Sequence, residues 1–506
     1  MPETKENNFF YILVAASAVG KSALMRQMVA ENLWVGVPKY STRDVRYKNG
    51  EIDDVTEMDS YQLKEMPEED AAEVRLNRIT KLKELCGGSK GVVYYKNSNF
   101  YGIQIEEVLD KLHQNNVVAI ISDFHVIKSL KGNEQLRNRV KVIYIASTID
   151  ERELLKRFKS REAVKYDTDS ESKRLAIKNI QSLCSVLGSA TRLSYMDRIE
   201  EVMPLLNEEW NNILPYFETI KTRGANIRML YNQYIDNISL IDYAVLNFYD
   251  LEYMFSQVRN IIKNVQIFRK ISYPPVFVVC AAPSSGKATL MEIVGDLGEV
   301  NGNIRITHKY AKRAPRERTD GRDGMIAIGE SGSFDDHITD QKNIWKWNFH
   351  KNGDNSAGVW YAVDKSEIER NILDGVAQIF ISNMSQIETA RQYFPDNVVI
   401  LYLHATHETE TKNHIKEKCK LDMVKKICKE TGCCDDEALG FLKNSEAYQK
   451  ELSEDVCGKL EEIRQVHDSF LQYNHQIDHV LLNTGTREDL VAQMNNLINF
   501  YCAIHE

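Results

Sequence analysis

At 506 residues the chain is too long for one ordinary hydrophobic core, and 43% hydrophobic with 27% charged residues is the balance of a globular protein of two domains. The 64 basic against 73 acidic side chains, a net charge of −9, exclude a general nucleic-acid or membrane surface, so any basic function must be local. No basic n-region precedes the first apolar segment, and no apolar run approaches the roughly 20 residues that span a bilayer, so the expectation is a cytoplasmic protein.

The first element in the chain is an apolar strand, Tyr11-Ile12-Leu13-Val14, which runs into Ala15-Ala16-Ser17-Ala18-Val19-Gly20-Lys21-Ser22-Ala23 and then a helical stretch. A strand, a short loop, glycine-lysine and a helix are the Walker A context, in which backbone N–H groups and a helix N-terminus surround a phosphate and the lysine neutralises its outer charges. Tyr40-Ser41-Thr42-Arg43-Asp44-Val45-Arg46 follows, then Asn49-Gly50-Glu51-Ile52-Asp53 and Asn99-Phe100-Tyr101-Gly102. Buried strands are expected at Ala119–Ser122, ending on Asp123, and at Val142–Ile145. A carboxylate at the end of an apolar strand is seldom buried without a partner, so Asp123 reads as functional. A helical stretch from Asn179 to Ile235 leads to a last strand, Asp242–Asn247, and consecutive prolines after Lys270-Ile271-Ser272-Tyr273 mark a junction.

The same signals recur beyond the junction in the same order. Val276–Cys280 leads to Ala281-Ala282-Pro283-Ser284-Ser285-Gly286-Lys287-Ala288-Thr289, and Tyr310-Ala311-Lys312-Arg313-Ala314-Pro315-Arg316 follows. Asn355-Ser356-Ala357-Gly358 echoes the Tyr101 segment. Strands are expected at Ile379–Ser382 and Val398–Leu403, a helical stretch from Thr409 to Gln472, and a closing strand at Asp478–Asn483. Short apolar runs alternating with longer amphipathic segments predict two three-layer α/β domains with parallel sheets, residues 1–268 and 269–506, each with added helical segments. Nine cysteines fit reduced thiols; Cys419, Cys428, Cys433 and Cys434 gather in one helix-like region but lack the paired C-x-x-C spacing of a zinc ribbon. Trp345, Trp347 and Trp360 read as core or interface residues rather than a base-stacking platform.

The order of lysine loop, S-T-R-x-x-R, N-G-E-x-D, Tyr-Gly, buried acidic strand and terminal D-Y-x-x-x-N resembles guanylate kinase, in two tandem copies, over most of both halves. That resemblance implies P-loop NTPase domains of the nucleoside-monophosphate-kinase type, with ATP and Mg²⁺ as cofactors and nucleotides as substrates. It implies that Ala18, Val19, Gly20, Lys21, Ser22 and Ala23 hold the donor phosphates, with the Ser22 hydroxyl on Mg²⁺. Arg43, Arg46 and Tyr101 would take the acceptor phosphate, with Asp123 near the acceptor or the metal, and Arg157, Arg161 and Arg174 would form a lid that acts with Lys21 on the transferring phosphoryl. In the second copy Gly286 and Lys287 would bind ATP and Arg313 and Arg316 the acceptor. That copy departs further, with Ala288 for the metal-ligating hydroxyl, Ala357 for the tyrosine, Asn383 for the aspartate and no arginine in its lid region from His407 to Lys418.

The first copy departs from the family at Ala15 and Ala18, where the loop usually has glycine, and at Val92 or Val93 and Ile103, where the family reads guanine. Apolar residues there cannot match the donors of the guanine edge, which leaves the acceptor open. The expectation is phosphoryl transfer by the first half, with the second half reduced and partnered to it within the chain. The alternatives are a guanylate-kinase-like binding or scaffold protein, and a kinase of a phosphorylated sugar.

Overall fold

The structure, a computed structural model, describes residues 9–15, 19–42, 47–48, 51–52, 61–62, 71–96, 99–114, 117–122, 124–136, 139–147, 234, 236–247, 251–268, 274–315, 321, 324–338, 341–349, 358–406 and 408–505. Two compact units divide the chain, Met1–Phe255 and Ser256–Glu506.

In the first unit the strands are β1 (Phe10–Ala15), β2 (Val35–Gly36), β3 (Tyr40–Ser41), β4 (Tyr47–Lys48), β5 (Glu51–Ile52), β6 (Tyr61–Gln62), β7 (Gly91–Lys96), β8 (Asn99–Gln104), β9 (Val118–Ile121), β10 (Val140–Ser147) and β11 (Tyr243–Asn247). The helices are α1 (Lys21–Ala30), α2 (Ala71–Cys86), α3 (Ile105–His113), α4 (Phe124–Lys131) and α5 (Leu251–Phe268), the last of which crosses the division between the units. Five strands form a parallel sheet in the order β11-β10-β1-β9-β2. Every residue of β1, β9 and β11 is buried, which is why these strands read as continuous apolar runs rather than alternating ones. A smaller mixed sheet, β6-β3-β8-β7, stands beside it.

The second unit contains β12 (Val276–Ala281), β13 (Ile304–Ile306), β14 (Lys309–Ala311), β15 (Met325–Ala327), β16 (Ile344–Phe349), β17 (Val359–Asp364), β18 (Ala377–Ile381), β19 (Val398–Ala405) and β20 (His479–Asn483). Its helices are α6 (Lys287–Asn301), α7 (Lys365–Leu373), α8 (Ile387–Tyr393), α9 (Glu408–Thr431), α10 (Asp435–Asn444), α11 (Glu446–Tyr473) and α12 (Arg487–His505). Its parallel sheet, β20-β19-β12-β18-β13, has the same strand order as that of the first unit. On one face Phe277, Val279 and Leu401 pack with Leu290 and Val294 of α6 and Leu490, Met494 and Tyr501 of α12. On the other Tyr402 and His404 meet Phe470 and His467 of α11, so helices cover both sides. Each unit is therefore an α/β domain, with a parallel five-stranded sheet, flanking helices and a glycine-lysine loop between the central strand and a helix.

The helical stretch from Asn179 to Ile235 lies outside the described residues, apart from Tyr234, which stacks on Tyr144 with ring centroids 4.1 Å apart. Its counterpart in the second unit is α9, α10 and α11. Gly432, in the left-handed region at φ 73°, follows the end of α9, and the Ser445 hydroxyl accepts the Tyr448 N–H at the start of α11. Cys419 is buried, Cys428 and Cys433 are half-buried and Cys434 is exposed, and the Cys428 thiol donates to the Asp435 carboxylate over 3.4 Å.

A carboxylate at the head of the last strand ties each sheet together. Asp242 accepts the Val142 N–H at 2.7 Å and the Lys131 ammonium at 2.8 Å. Asp478 accepts the Ile400 N–H at 2.7 Å and Arg391 Nη2 at 2.9 Å. Asp478 is buried, and burial raises its carboxyl pKa against the opposing pull of Arg391. Asp478→Ala leaves the Ile400 N–H without its acceptor and removes the carboxylate from Arg391, whose Nη2 also donates to Gln476 O, and should lower the stability of the second unit by about 2–3 kcal/mol, read by denaturant unfolding.

Candidate functional site

Both glycine-lysine loops sit at the carboxyl end of the central strand. Gly20 caps α1 at φ 100° and Gly286 caps α6 at φ 97°, a left-handed conformation that turns the chain from strand into helix at little cost only where there is no Cβ. The loops are pinned from the far edge of each sheet. Asn247, at the end of β11, donates its side-chain N–H to Val19 O at 2.7 Å, and Asn483, at the end of β20, donates to Ser285 O at 2.8 Å. A Cβ on Gly286 would run into the Asn483 carboxamide. One on Gly20 would meet the Leu251 and Met254 side chains at 3.0 and 3.3 Å. The second loop contains another left-handed residue, Ser284 at φ 57°, unusual for a side chain with a Cβ.

Each loop lysine is the first residue of its helix. Lys21 Nζ donates to Ala15 O at 2.7 Å, and Lys287 Nζ donates to Ala281 O at 3.0 Å and Ala282 O at 2.7 Å. An ammonium beside the first-turn N–H groups of a helix makes a site for an anion. Ser22, the second residue of α1, is exposed and offers its hydroxyl there, whereas Ala288 holds that place in α6. A glycine cradle with a neighbouring hydroxyl fits the phosphates of a nucleotide, and a bound Mg²⁺ would take phosphate oxygens and several waters among its ligands. Among the described residues no group of three His, Cys, Asp or Glu side chains is placed to hold a metal ion.

A second lysine in each unit escaped the sequence reading. Lys39 Nζ donates to Ile121 O, at the end of β9, at 3.0 Å and lies 5.4 Å from the ring centre of Tyr101. Lys309 Nζ donates to Ile381 O, at the end of β18, at 2.9 Å and lies 5.1 Å from the ring centre of Tyr361. In both units two lysines thus cap the terminal carbonyls of adjacent parallel strands, the edge at which open α/β sheets bind ligands. The signal was in the sequence: Lys39 precedes Tyr40 just as Lys309 precedes Tyr310, one residue before the segments that were aligned.

The small sheets also correct the alignment of the tyrosine. Tyr101 pairs with Ser41, and Tyr361 pairs with Ala311, so Tyr361 rather than Ala357 stands where Tyr101 does. Sequence matching fixed on the glycine after Ala357, but β-register is set by cross-strand pairing, and Ala362 takes the place of Gly102. The residue opposite each tyrosine is aromatic and stacked on it: Tyr94 on Tyr101 at 5.4 Å and Trp347 on Tyr361 at 5.9 Å. Two residues earlier the units part. Val92 lies opposite Ile103, whereas Trp345, opposite Val363, is an almost fully buried indole that donates to Gln386 Oε1 at 3.1 Å and packs on Phe380 and Tyr393. Val92 and the fully buried Ile103 share the face of Tyr94 and Tyr101, whereas Val93 faces the other way and packs with Leu82 and Cys86.

No protein-family model matches the chain, and no curated protein sequence does. Among solved structures, the guanylate kinase of Anaplasma phagocytophilum is similar at 14% sequence identity, covering 45% of this chain and 85% of that chain, with a TM-score of 0.26.

Of the residues singled out from the sequence, the structure brings Val19, Gly20, Lys21, Ser22 and Ala23 together in one loop and helix start, and Gly286 and Lys287 likewise. Ala18, Arg43, Arg46, Asp123, Arg157, Arg161, Arg174, Arg316 and Ala357 lie outside the described residues. Ala15 is the last residue of β1 and meets no glycine requirement. Arg313 is buried, and its guanidinium donates to Ala314 O at 2.8 Å within its own loop. Trp345 and Trp347 are buried, whereas Trp360 is exposed.

The electrostatics of the second loop are specific. Burial lowers the pKa of Lys287 to about 8; Glu462 opposes the shift, and Lys459 and Lys418 add to it. Cys280, behind the loop, is fully buried and its thiol is pushed up to about 12. Lys287 should therefore acetylate with a midpoint near about 8 rather than 10.5, read residue by residue by mass spectrometry across pH. Between these values the unfolded chain holds the extra proton, so this group's contribution to stability rises with pH over that window. Gly286→Ala should cost the second unit about 1–2 kcal/mol, from the left-handed conformation alone, plus the displaced Asn483 amide, measured by thermal unfolding.

Proposed function

We propose that the first unit carries out ATP-dependent phosphoryl transfer to a nucleoside monophosphate. The observation that supports this reading is the placement of Lys21 and Lys39 at the carboxyl ends of β1 and β9, with the left-handed Gly20 and the exposed Ser22 on one side and the Tyr94–Tyr101 stack on the other. Two cationic points on adjacent strand ends suit two phosphate-bearing substrates, one at the helix N-terminus and one over the tyrosines. In this reading Lys21 and the α1 N-terminus hold the donor phosphates and Ser22 supplies a metal contact. Arg43, Arg46, Tyr101 and Asp123 serve the acceptor, and Arg157, Arg161 and Arg174 offset the charge of the transferring phosphoryl, the electrostatic work on which this chemistry depends. The proposed setting is cytoplasmic.

A different role is favoured for the second unit, that of a reduced copy that binds or braces within the chain. Trp345 fills the position held by Val92 in the first unit, and Ala288 lacks the hydroxyl of Ser22. The apolar Val92 and Ile103 on the face of Tyr94 and Tyr101, where hydrogen-bonding residues would read a guanine, favour a phosphorylated sugar as the rival acceptor for the first unit.

A coupled assay across GMP, dGMP, AMP, CMP, UMP, dTMP and phosphorylated sugars tests the proposal, and no turnover with any acceptor would sink it. Lys21→Ala should lower kcat by about 10²–10³-fold, the scale of losing one charge-stabilising contact. Lys39→Met should raise the KM for the acceptor about tenfold while altering the KM for ATP little, the loss of about 1.4 kcal/mol of acceptor binding.

A further inference from the structure

The reversal from α9 into α10 gathers Cys428, Cys433 and Cys434 and gives them different surroundings. Gly432 enters the left-handed region at φ 73°, and its N–H donates to Cys428 O at 2.8 Å, the bond that closes a helix ending on glycine. In such a cap the side chain after the glycine packs on the one four residues before it, and here those two residues are Cys433 and Cys428. Both are half-buried against one apolar cluster that contains Met423, Ile427, Ala438 and Leu442, and their thiols are within hydrogen-bonding reach of each other. Cys433 Sγ lies 3.0 Å from the Thr431 hydroxyl, and Cys428 Sγ donates to Asp435 Oδ1 at 3.4 Å. Cys434 is engaged elsewhere as the cap of α10: its N–H donates to Glu437 Oε2 at 3.3 Å, and its sulfur accepts from the Glu437 N–H.

We propose that Cys428 and Cys433 form a reversible disulfide, a redox modification site that staples the end of α9 across its glycine cap, with a low-molecular-weight disulfide of the glutathione type as the oxidant. The Cys433 thiolate attacks one sulfur of the small disulfide, a mixed disulfide forms, and the other half leaves as a thiolate that takes up a proton. Cys428 then gives its proton to solvent and attacks the Cys433 sulfur, which expels the second small thiol. Two cysteine thiols are oxidised to one disulfide, and the small disulfide is reduced to two thiols. The partners set this order. The Thr431 hydroxyl, which is 2.7 Å from Ile427 O, can turn its hydrogen to a Cys433 thiolate. Asp435 instead holds the Cys428 proton, and burial together with that carboxylate pushes the Cys428 thiol up to about 11, so Cys428 stays quiet until its neighbour has been charged. A bond that forms and reopens suits the cytoplasmic setting proposed above, where disulfides act as transient redox devices. It requires no nucleotide and is independent of the activity proposed for the first unit.

The test treats the full chain with oxidised glutathione, blocks the remaining thiols and maps tryptic peptides by mass spectrometry. Trypsin cuts after Lys429, so a bond from Cys428 to Cys433 joins the peptides 427–429 and 430–443, which are otherwise separate. The joined pair should be the main product in the unaltered chain and in Cys434→Ser, and should vanish in Cys428→Ser and in Cys433→Ser. It should form about tenfold faster in the folded chain than in urea, the advantage of a contact already made. No joined pair, its loss in Cys434→Ser, its survival in Cys433→Ser, or equal rates in urea overturns the proposal. Should a serine variant fail to fold, fragmentation of the joined peptides from the unaltered chain decides: a bond to Cys433 supports the site, and one to Cys434 overturns it.

Discussion

Both units depend on one tie, an asparagine amide at the end of the last strand donating to the carbonyl just before the loop glycine. Asn247 does this to Val19 and Asn483 to Ser285, over separations of 228 and 198 residues. In the second unit the bond has room because the next residue is glycine, since a Cβ on Gly286 would strike the Asn483 amide; in the first a Cβ on Gly20 would press instead on Leu251 and Met254. Closing so long a loop carries an entropic cost, and the sheet meets it through buried apolar strands whose ends then arrive in register. The Asp242 and Asp478 clamps act at the opposite end of the same strands, so each last strand is held at both its head and its tail.

From that frame the placement of charge follows. Parallel strands present their carbonyl ends at one edge, and a lysine on each of two adjacent strand ends turns this edge from electron-rich to cationic. The cost of bringing an ammonium into a partly buried setting appears at Lys287, where desolvation outweighs the help of Glu462. The two units share this plan and differ in what stands around it. The first leaves Val92 beside stacked tyrosines; the second puts the indole of Trp345 there, and the Glu462 carboxylate acts electrostatically on its loop lysine.

Much of this was legible in the residue order. The strands at Tyr11–Val14, Val142–Ile145 and Val398–Leu403 announced themselves as unbroken apolar runs because both faces of those strands are covered, and glycine-lysine after such a run pointed to the loop. The alignment of Tyr101 with Ala357 failed because it matched letters around a glycine, and the short strands of the smaller sheet have no hydrophobic period strong enough to fix their register. Lys39 and Lys309 were missed although each stands one residue before a segment already compared, since a lysine before a strand reads as solvated until a strand-end carbonyl is seen within reach of it.

The sequence by itself determined the class of each unit, the position of its loop and the type of residue there, because apolar periodicity and glycine-lysine spacing are local properties of the chain. Tertiary structure alone decided that Tyr361 answers Tyr101, that a buried Trp345 takes the place of Val92, and that Glu462 acts on the charge of Lys287. Those outcomes depend on which strands pair and which helix turns inward, and side chains far apart in the chain acquire a common electrostatic environment only when the packed core brings them together.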